Sequence, residues 1–243
     1  MGSGRVTDQD CAFDAGLTEA QRARLDADGF LAMPAMTDPA DIADIRELIL
    51  PILDRPDLEA VTTVRLQPGA QRPDAIREID GASTLEPRLT ETRFFRRAMA
   101  AARALFGPAT RLGYDHVIVK PPFSDKATDW HQDCAYSSPL TLSARRLHWW
   151  LPLQPVDKRN GCMHFARGTH AGPRLRHVKA ADSHALSARP PDPQTVTPCP
   201  LDVGGATIHL PKTLHFTGPN HSDAPRIAWI IQTGVRGGLP RFL

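Results

Sequence analysis

Two short stretches carry the residues with metal-binding chemistry. In "DWHQDCAYSS", residues 129 to 138, His131 stands two positions before Asp133. Residues i and i+2 of an extended chain project from one face, so an imidazole and a carboxylate are aimed at one point. A buried His–Asp hydrogen bond is the plainer use of such a pair. The second stretch, "LHFTGPNHSDAPRIAWIIQ" from residue 214, puts His215 at the end of a short apolar run. After a polar turn, Arg226 opens another.

Two histidines and one carboxylate on one face form the triad of non-haem Fe(II) oxygenases, which leaves coordination positions open. Those positions must admit a bidentate oxo-acid and then O₂, so a fourth protein ligand would hinder the chemistry. Arg226 offers a planar fork of donors for the distal carboxylate of such an acid, which lysine matches only as a point charge.

The elements that must position these side chains change character near residue 110. Before it, helices are expected. Thr18 with Gln21 forms a candidate capping box ahead of "EAQRARLDAD", and Gly29 is the stop. Asp38 caps a second helix with Pro39 at its first position and Ile42, Ile45, Leu48, Ile49 and Ile52 on one face, and Pro51 is expected to bend or end it. A third occupies "TETRFFRRAMAAARALFG", closed by Gly107. After residue 110, seven short apolar runs rich in β-branched and aromatic residues follow: "LGYDHVIVK", "LHWWLPLQ", "GCMHFA", "QTVTPC", "GATIHL", "TLHF" and "RIAWIIQTG". Such spacing predicts a sandwich or barrel and not a parallel sheet. "SARPPDPQ", 187 to 194, reads as a loop.

Composition narrows the partners. With 29 Lys and Arg against 27 Asp and Glu, no footprint for nucleic acid or a membrane surface is present, and small molecules are the expected partners. The four cysteines form no Cys-x-x-Cys pair, so neither a zinc ribbon nor a disulfide framework is indicated and a cytoplasmic setting is expected. No apolar run approaches the ~20 residues needed to span a bilayer. Nothing marks an oligomer interface. Residues 1–16 are expected to be a tail, part of it a cloning remnant, and 17–243 one domain: a helical part over about 17–108 and a β core over about 109–235.

Four landmarks in order make the chain resemble the phytanoyl-CoA dioxygenase family of Fe(II)/2-oxoglutarate oxygenases. "LTEAQRARLDADGFLAMPAM" is similar to the family's opening helix and following strand, and "VKPPFSDKATDWHQD" to its Lys-Pro-Pro loop and His-Gln-Asp. "WLPLQPVDKRNGCMHFARGTH" resembles its Trp strand, Asn-Gly-Cys turn and Gly-Ser/Thr-His segment. "LHFTGPNHSDAPRIAWIIQ" resembles the distal His, the Asn-x-Ser turn and the co-substrate Arg.

The resemblance implies a mainly β fold with flanking α-helices and a double-stranded β-helix core, that is, a cupin-like jelly roll. It implies that His131, Asp133 and His215 bind Fe(II), that Arg226 pairs with the C5 carboxylate of 2-oxoglutarate, and that Trp150 packs on this co-substrate. It also points to His116, four residues before the Lys-Pro-Pro lysine, and to the basic residue Arg77. Related halogenases carry a small residue in place of the carboxylate; Asp133 therefore favours hydroxylation, desaturation or cyclisation of a small molecule, with O₂ consumed and succinate and CO₂ released. The basic residues Arg65, Arg72 and Arg77, and Arg167, Arg174, Arg176, His177 and Lys179, are read either as a rim that steers an anionic substrate or as solvated surface. His164, His177, His184, His209 and His221 are taken as ordinary surface or substrate-facing residues, and His170 as a partner of backbone groups near a turn. Two alternatives stay open: a metal-dependent cupin-type dioxygenase without 2-oxoglutarate, and an inactive barrel that binds a small molecule.

Overall fold

The computed structural model describes residues 16–66, 75–137, 145–179 and 186–235. Its three longer helices are α1 (Glu19–Asp28), α2 (Pro39–Leu53) and α3 (Arg93–Phe106). Each starts as the local chemistry dictates. Thr18 and Gln21 close a complete capping box on α1, Asp38 accepts from Asp41 N–H at the start of α2, and Thr92 caps α3. Gly29 ends α1 in the left-handed conformation. Pro51 does not end α2, which runs on to Leu53; so near the C-terminus it interrupts only the last turn of the hydrogen-bond ladder.

The strands are β1 (Phe30–Met33), β2 (Val64–Leu66), β3 (Arg77–Asp80), β4 (Arg111–Lys120), β5 (Thr128–His131), β6 (Arg146–Pro152), β7 (Met163–Ala166), β8 (His177–Lys179), β9 (Leu186–Ala188), β10 (Val196–Cys199), β11 (Ala206–His209), β12 (His215–Thr217) and β13 (Arg226–Gly234). They build a seven-stranded sheet in the order β1-β11-β6-β13-β4-β3-β2, a four-stranded sheet β10-β7-β12-β5, and the hairpin β8-β9. The larger two are antiparallel throughout. All seven expected strands are present. The expected helical part contributes three more, β1, β2 and β3, to the large sheet.

Strand alternation divides the large sheet between two cores. Val117, Val119, Trp149, Leu151, Ile227, Trp229 and Ile231 face outward and pack with Ile45, Ile49, Phe94 and Ala98 of the helices. Trp150, Ala228 and Ile230, with Ile118 beside them, face inward and meet Phe165 and Met163 of the small sheet and Cys162 just before it. The paired tryptophans of β6 thus serve opposite faces, as a period of two requires. On the helix side, Trp229 Nε1–H donates to Asp115 Oδ2 at 3.0 Å, and the same carboxylate accepts from Ser83 N–H and Oγ–H at 2.8 and 2.9 Å. These bonds tie the helical layer to the sheet beneath the site.

Candidate metal and co-substrate site

The site lies between the sheets. β12 pairs with β5 so that His215 is directly opposite His131. Asp133 is not in the strand: β5 ends at His131 and Asp133 begins a 3₁₀ turn. Gln132 between them is extended, with φ −117° and ψ 130°, so the same-face relation expected of i and i+2 persists past the strand end. Gln132 itself is pinned, its amide donating to Lys212 O at 2.7 Å and its Oε1 accepting from Leu175 N–H at 2.8 Å.

Asp133 Oδ1 stands 3.6 Å from His131 Nε2 and 3.7 Å from His215 Nε2. The three side chains could hold one metal ion, their ligand atoms all lying within 4.8 Å of one another. Tautomers follow from the outer contacts. His131 Nδ1 meets Asp129 O at 2.7 Å and His215 Nδ1 meets Thr213 O at 2.9 Å. A carbonyl only accepts, so both protons sit on Nδ1 and both Nε2 lone pairs face the shared centre. Burial pushes the pKa of each ring down to about 4, which keeps them neutral. Burial alone would raise the Asp133 pKa, but the surrounding imidazoles, His148 and His215 foremost, outweigh it and hold the carboxyl well below its ordinary range. The set is two neutral nitrogens and one carboxylate, the donor chemistry that suits Fe(II).

Arg226 opens β13 on the inward face, opposite Lys120 of β4. Asn220 fixes the preceding turn by donating to Pro121 O and Ala224 O, both at 2.9 Å. The guanidinium lies over Trp150, Cζ to ring centroid 5.6 Å. It is 1% exposed. None of its three nitrogens has a hydrogen-bond partner among the described residues, and burial pulls its pKa down to about 9. A buried, unpaired fork of donors is costly unless an anion completes it, and the distal carboxylate of 2-oxoglutarate matches it in charge and planarity.

The remaining expected residues divide. His116 points inward with Ile118; the residue is half-buried, and its buried Nδ1 lacks a partner among the described residues. Arg77 does not reach this space. β3 registers it opposite Val119, on the face that packs against the helices, and its Nη1 points to Leu53 O at 3.5 Å. The period of two puts Glu78 and Asp80 on the inward face instead, and Arg65 binds both, at 2.7 Å and 2.5 Å. Arg174 donates to Ala135 O at 2.9 Å, and His177 Nε2 accepts from Gln132 N–H at 3.0 Å. These members of the basic rim are committed to structural contacts; Arg72 lies outside the described residues, as does His184. His170 bonds Asp26 O at 2.9 Å, and Lys120 donates to Thr217 O at 3.0 Å and to Gly218 O, clamping the segment after His215.

Sequence reasoning missed one pair. His209, taken as a surface or substrate-facing residue, is 2% exposed, and its Nε2 is 2.8 Å from Asp133 Oδ2. His148 Nδ1 is 2.7 Å from the same oxygen. Only the strand register brings them together: His209 and His148 are cross-strand partners of β11 and β6.

Jelly roll, triad and buried arginine are together those of the iron- and 2-oxoglutarate-dependent oxygenases. Comparison with known proteins agrees. The chain belongs to the phytanoyl-CoA dioxygenase family, which matches residues 25–228. It is 31% identical over 136 residues to a protein of Stutzerimonas stutzeri described as a probable alpha-ketoglutarate-dependent hypophosphite dioxygenase; the match spans 51% of this chain and 45% of that one. EvdO2 from Micromonospora carbonacea var. aurantiaca, solved with 2-oxoglutarate, superposes with TM-score 0.75 at 26% identity, over 93% of this chain and 94% of EvdO2. The epimerase SnoN, solved with Fe³⁺, alpha-ketoglutarate and nogalamycin RO, shares the fold with TM-score 0.70 at 24% identity, over 89% of this chain and 83% of SnoN. No helix among the described residues is long and apolar enough to cross a membrane.

Proposed function

We propose that this protein oxidises an unactivated C–H bond of a small metabolite, by hydroxylation, using Fe(II), 2-oxoglutarate and O₂. The observation that carries the reading is the convergence of His131, Asp133 and His215 between the sheets, with Arg226 buried on the inward face of the large sheet and without a hydrogen-bond partner among the described residues. His131 and His215, oriented by their Nδ1–H bonds to backbone carbonyls, offer Nε2 to the metal, and Asp133 offers Oδ1. Arg226 takes the distal carboxylate of the co-substrate and Trp150 supports the guanidinium from below. When bound, ferrous iron would supply the centre for O₂ chemistry, with O₂ the four-electron oxidant, two electrons coming from decarboxylation of 2-oxoglutarate to succinate and CO₂ and two from the substrate C–H bond. The protein orients the partners, keeps the ligand nitrogens unprotonated and excludes bulk water by burial. Asp133 fills the position that a halide would need, which favours oxygen insertion. The substrate in this reading is a natural-product or amino-acid-like small molecule; SnoN, which shares the fold, was solved with nogalamycin RO.

The test is anaerobic addition of Fe(II) and 2-oxoglutarate to the full chain. A weak visible charge-transfer band is expected, followed on admission of O₂ by succinate release that rises with a matching member of a metabolite panel. A chain that binds Fe(II) yet gives no band with 2-oxoglutarate would contradict the proposal.

A further inference from the structure

Asp133 has two oxygens with different neighbours. Oδ1 faces His131 and His215 of the small-sheet side, whereas Oδ2 faces His148 and His209 of the large sheet. Asp133, His148 and His209 also satisfy the bare requirement for a metal cluster, which would make the carboxylate a bridge between two ions. The separations argue otherwise. Two atoms bound to one ion at ~2.0–2.2 Å stand about 3 Å or more apart at ordinary coordination angles. The 3.6 and 3.7 Å at Oδ1 meet this condition. The 2.7 and 2.8 Å at Oδ2 are hydrogen-bond lengths.

Protons follow from the chemistry of the acceptor. An ionised carboxylate only accepts, so His148 carries its proton on Nδ1 and His209 on Nε2. The free Nε2 of His148 then has a donor of its own: the Gln232 amide nitrogen lies 3.3 Å away, on the β13 residue registered opposite His148. An amide on β13, an imidazole on β6 and the carboxylate that follows β5 are thus linked in series.

We propose that His148 and His209 are positioning residues that hold Asp133 as a one-oxygen metal ligand. Their two N–H groups occupy Oδ2, so the carboxylate reaches the metal through Oδ1 alone. The position that a two-oxygen carboxylate would take is thereby kept for co-substrate and O₂. This inference rests on the triad proposed above.

The experiment titrates Co(II) into the metal-free full chain and follows the visible absorption, which reports affinity, stoichiometry and coordination number. His148→Ala and His209→Ala are each expected to weaken Co(II) binding by roughly 10–100-fold and to alter the band intensity, with one ion bound per chain. Geometry-matched replacements separate positioning from packing. Asn at 148 places its amide where Nδ1–H was, and Gln at 209 places its amide where Nε2–H was; His148→Asn and His209→Gln are expected to recover most of the affinity. The crossed pair, His148→Gln and His209→Asn, is not. Alanine variants that bind Co(II) like the parent, or crossed variants that recover as well as matched ones, overturn the inference. Two ions per parent chain, with one lost in His148→Ala, overturn it in favour of a second metal site. If an alanine variant shows no melting transition, the matched and crossed variants decide alone. A parent chain that takes up no Co(II) refutes the triad itself, a result distinct from all of these.

Discussion

Replacing Arg226 with methionine should stabilise the ligand-free protein while abolishing its response to 2-oxoglutarate. Burial pulls the Arg226 pKa down to about 9, far below that of an ordinary guanidinium; at about 1.36 kcal/mol per tenfold, the buried charge costs on the order of 5 kcal/mol relative to water. Its contact with Trp150 returns ~1–2 kcal/mol, so a side chain of similar length without the charge should gain ~3 kcal/mol. For a protein of this size that raises the melting temperature by roughly 6–12 °C. Co-substrate at a hundred times its dissociation constant stabilises the parent by about 2.7 kcal/mol, and this increment should vanish in Arg226→Met. The assay is anaerobic thermal melting with Fe(II), with and without 2-oxoglutarate. Arg226→Lys supplies the contrast, since a point charge keeps the burial cost and loses the fork. A methionine variant that melts below the ligand-free parent, or that still shifts with 2-oxoglutarate, refutes the idea that Arg226 is an unpaired anion receptor.

Three further predictions follow from neighbouring geometry. Asp133→Asn is isosteric but wrong in either orientation: its NH₂ meets the two imidazole N–H groups or takes the place of the metal-facing oxygen, so anaerobic Fe(II) titration should show a loss of roughly 100-fold or more. Asp115→Ala leaves the Trp229 indole N–H and the Ser83 N–H buried without their acceptor, at ~1–3 kcal/mol each; denaturant unfolding should report a loss of ~2–6 kcal/mol, with Co(II) affinity retained in the folded fraction. Gly204 has φ +92°, and a Cβ there would stand 2.3 Å from Thr37 O, a contact that only a backbone shift relieves. Gly204→Ala should therefore destabilise by ~2 kcal/mol or more, read as a lower midpoint in urea.

Much of the site was legible because it is written in local rules. The i, i+2 spacing of His131 and Asp133 fixes their common face, and strand signals around His215 and Arg226 set those residues on β12 and β13. The capping box at Thr18 and the Asp38-Pro39 start are likewise local, and both helices begin where these residues stand. What could not be read depended on pairing across the chain. β2 and β3 are three and four residues long and carry charges, so neither shows an apolar run, and without the register of β3 nothing tells that Arg77 faces the helices while Glu78 and Asp80 face inward.

His148 and His209 illustrate the same limit in the opposite sense. Each sits in an apolar strand where a histidine reads as an isolated polar residue, and 61 positions separate them in the chain. The physical requirement was nevertheless visible in outline: a carboxylate that gives one oxygen to a metal must satisfy its other oxygen, and in a dry interior only protein donors can do so. The search for a metal site in a jelly roll should accordingly continue past the ligands to inward-facing N–H groups on the opposite sheet. In this chain that search ends on β6 and β11, and the strain of burying two more imidazoles is offset by the ionised oxygen they share.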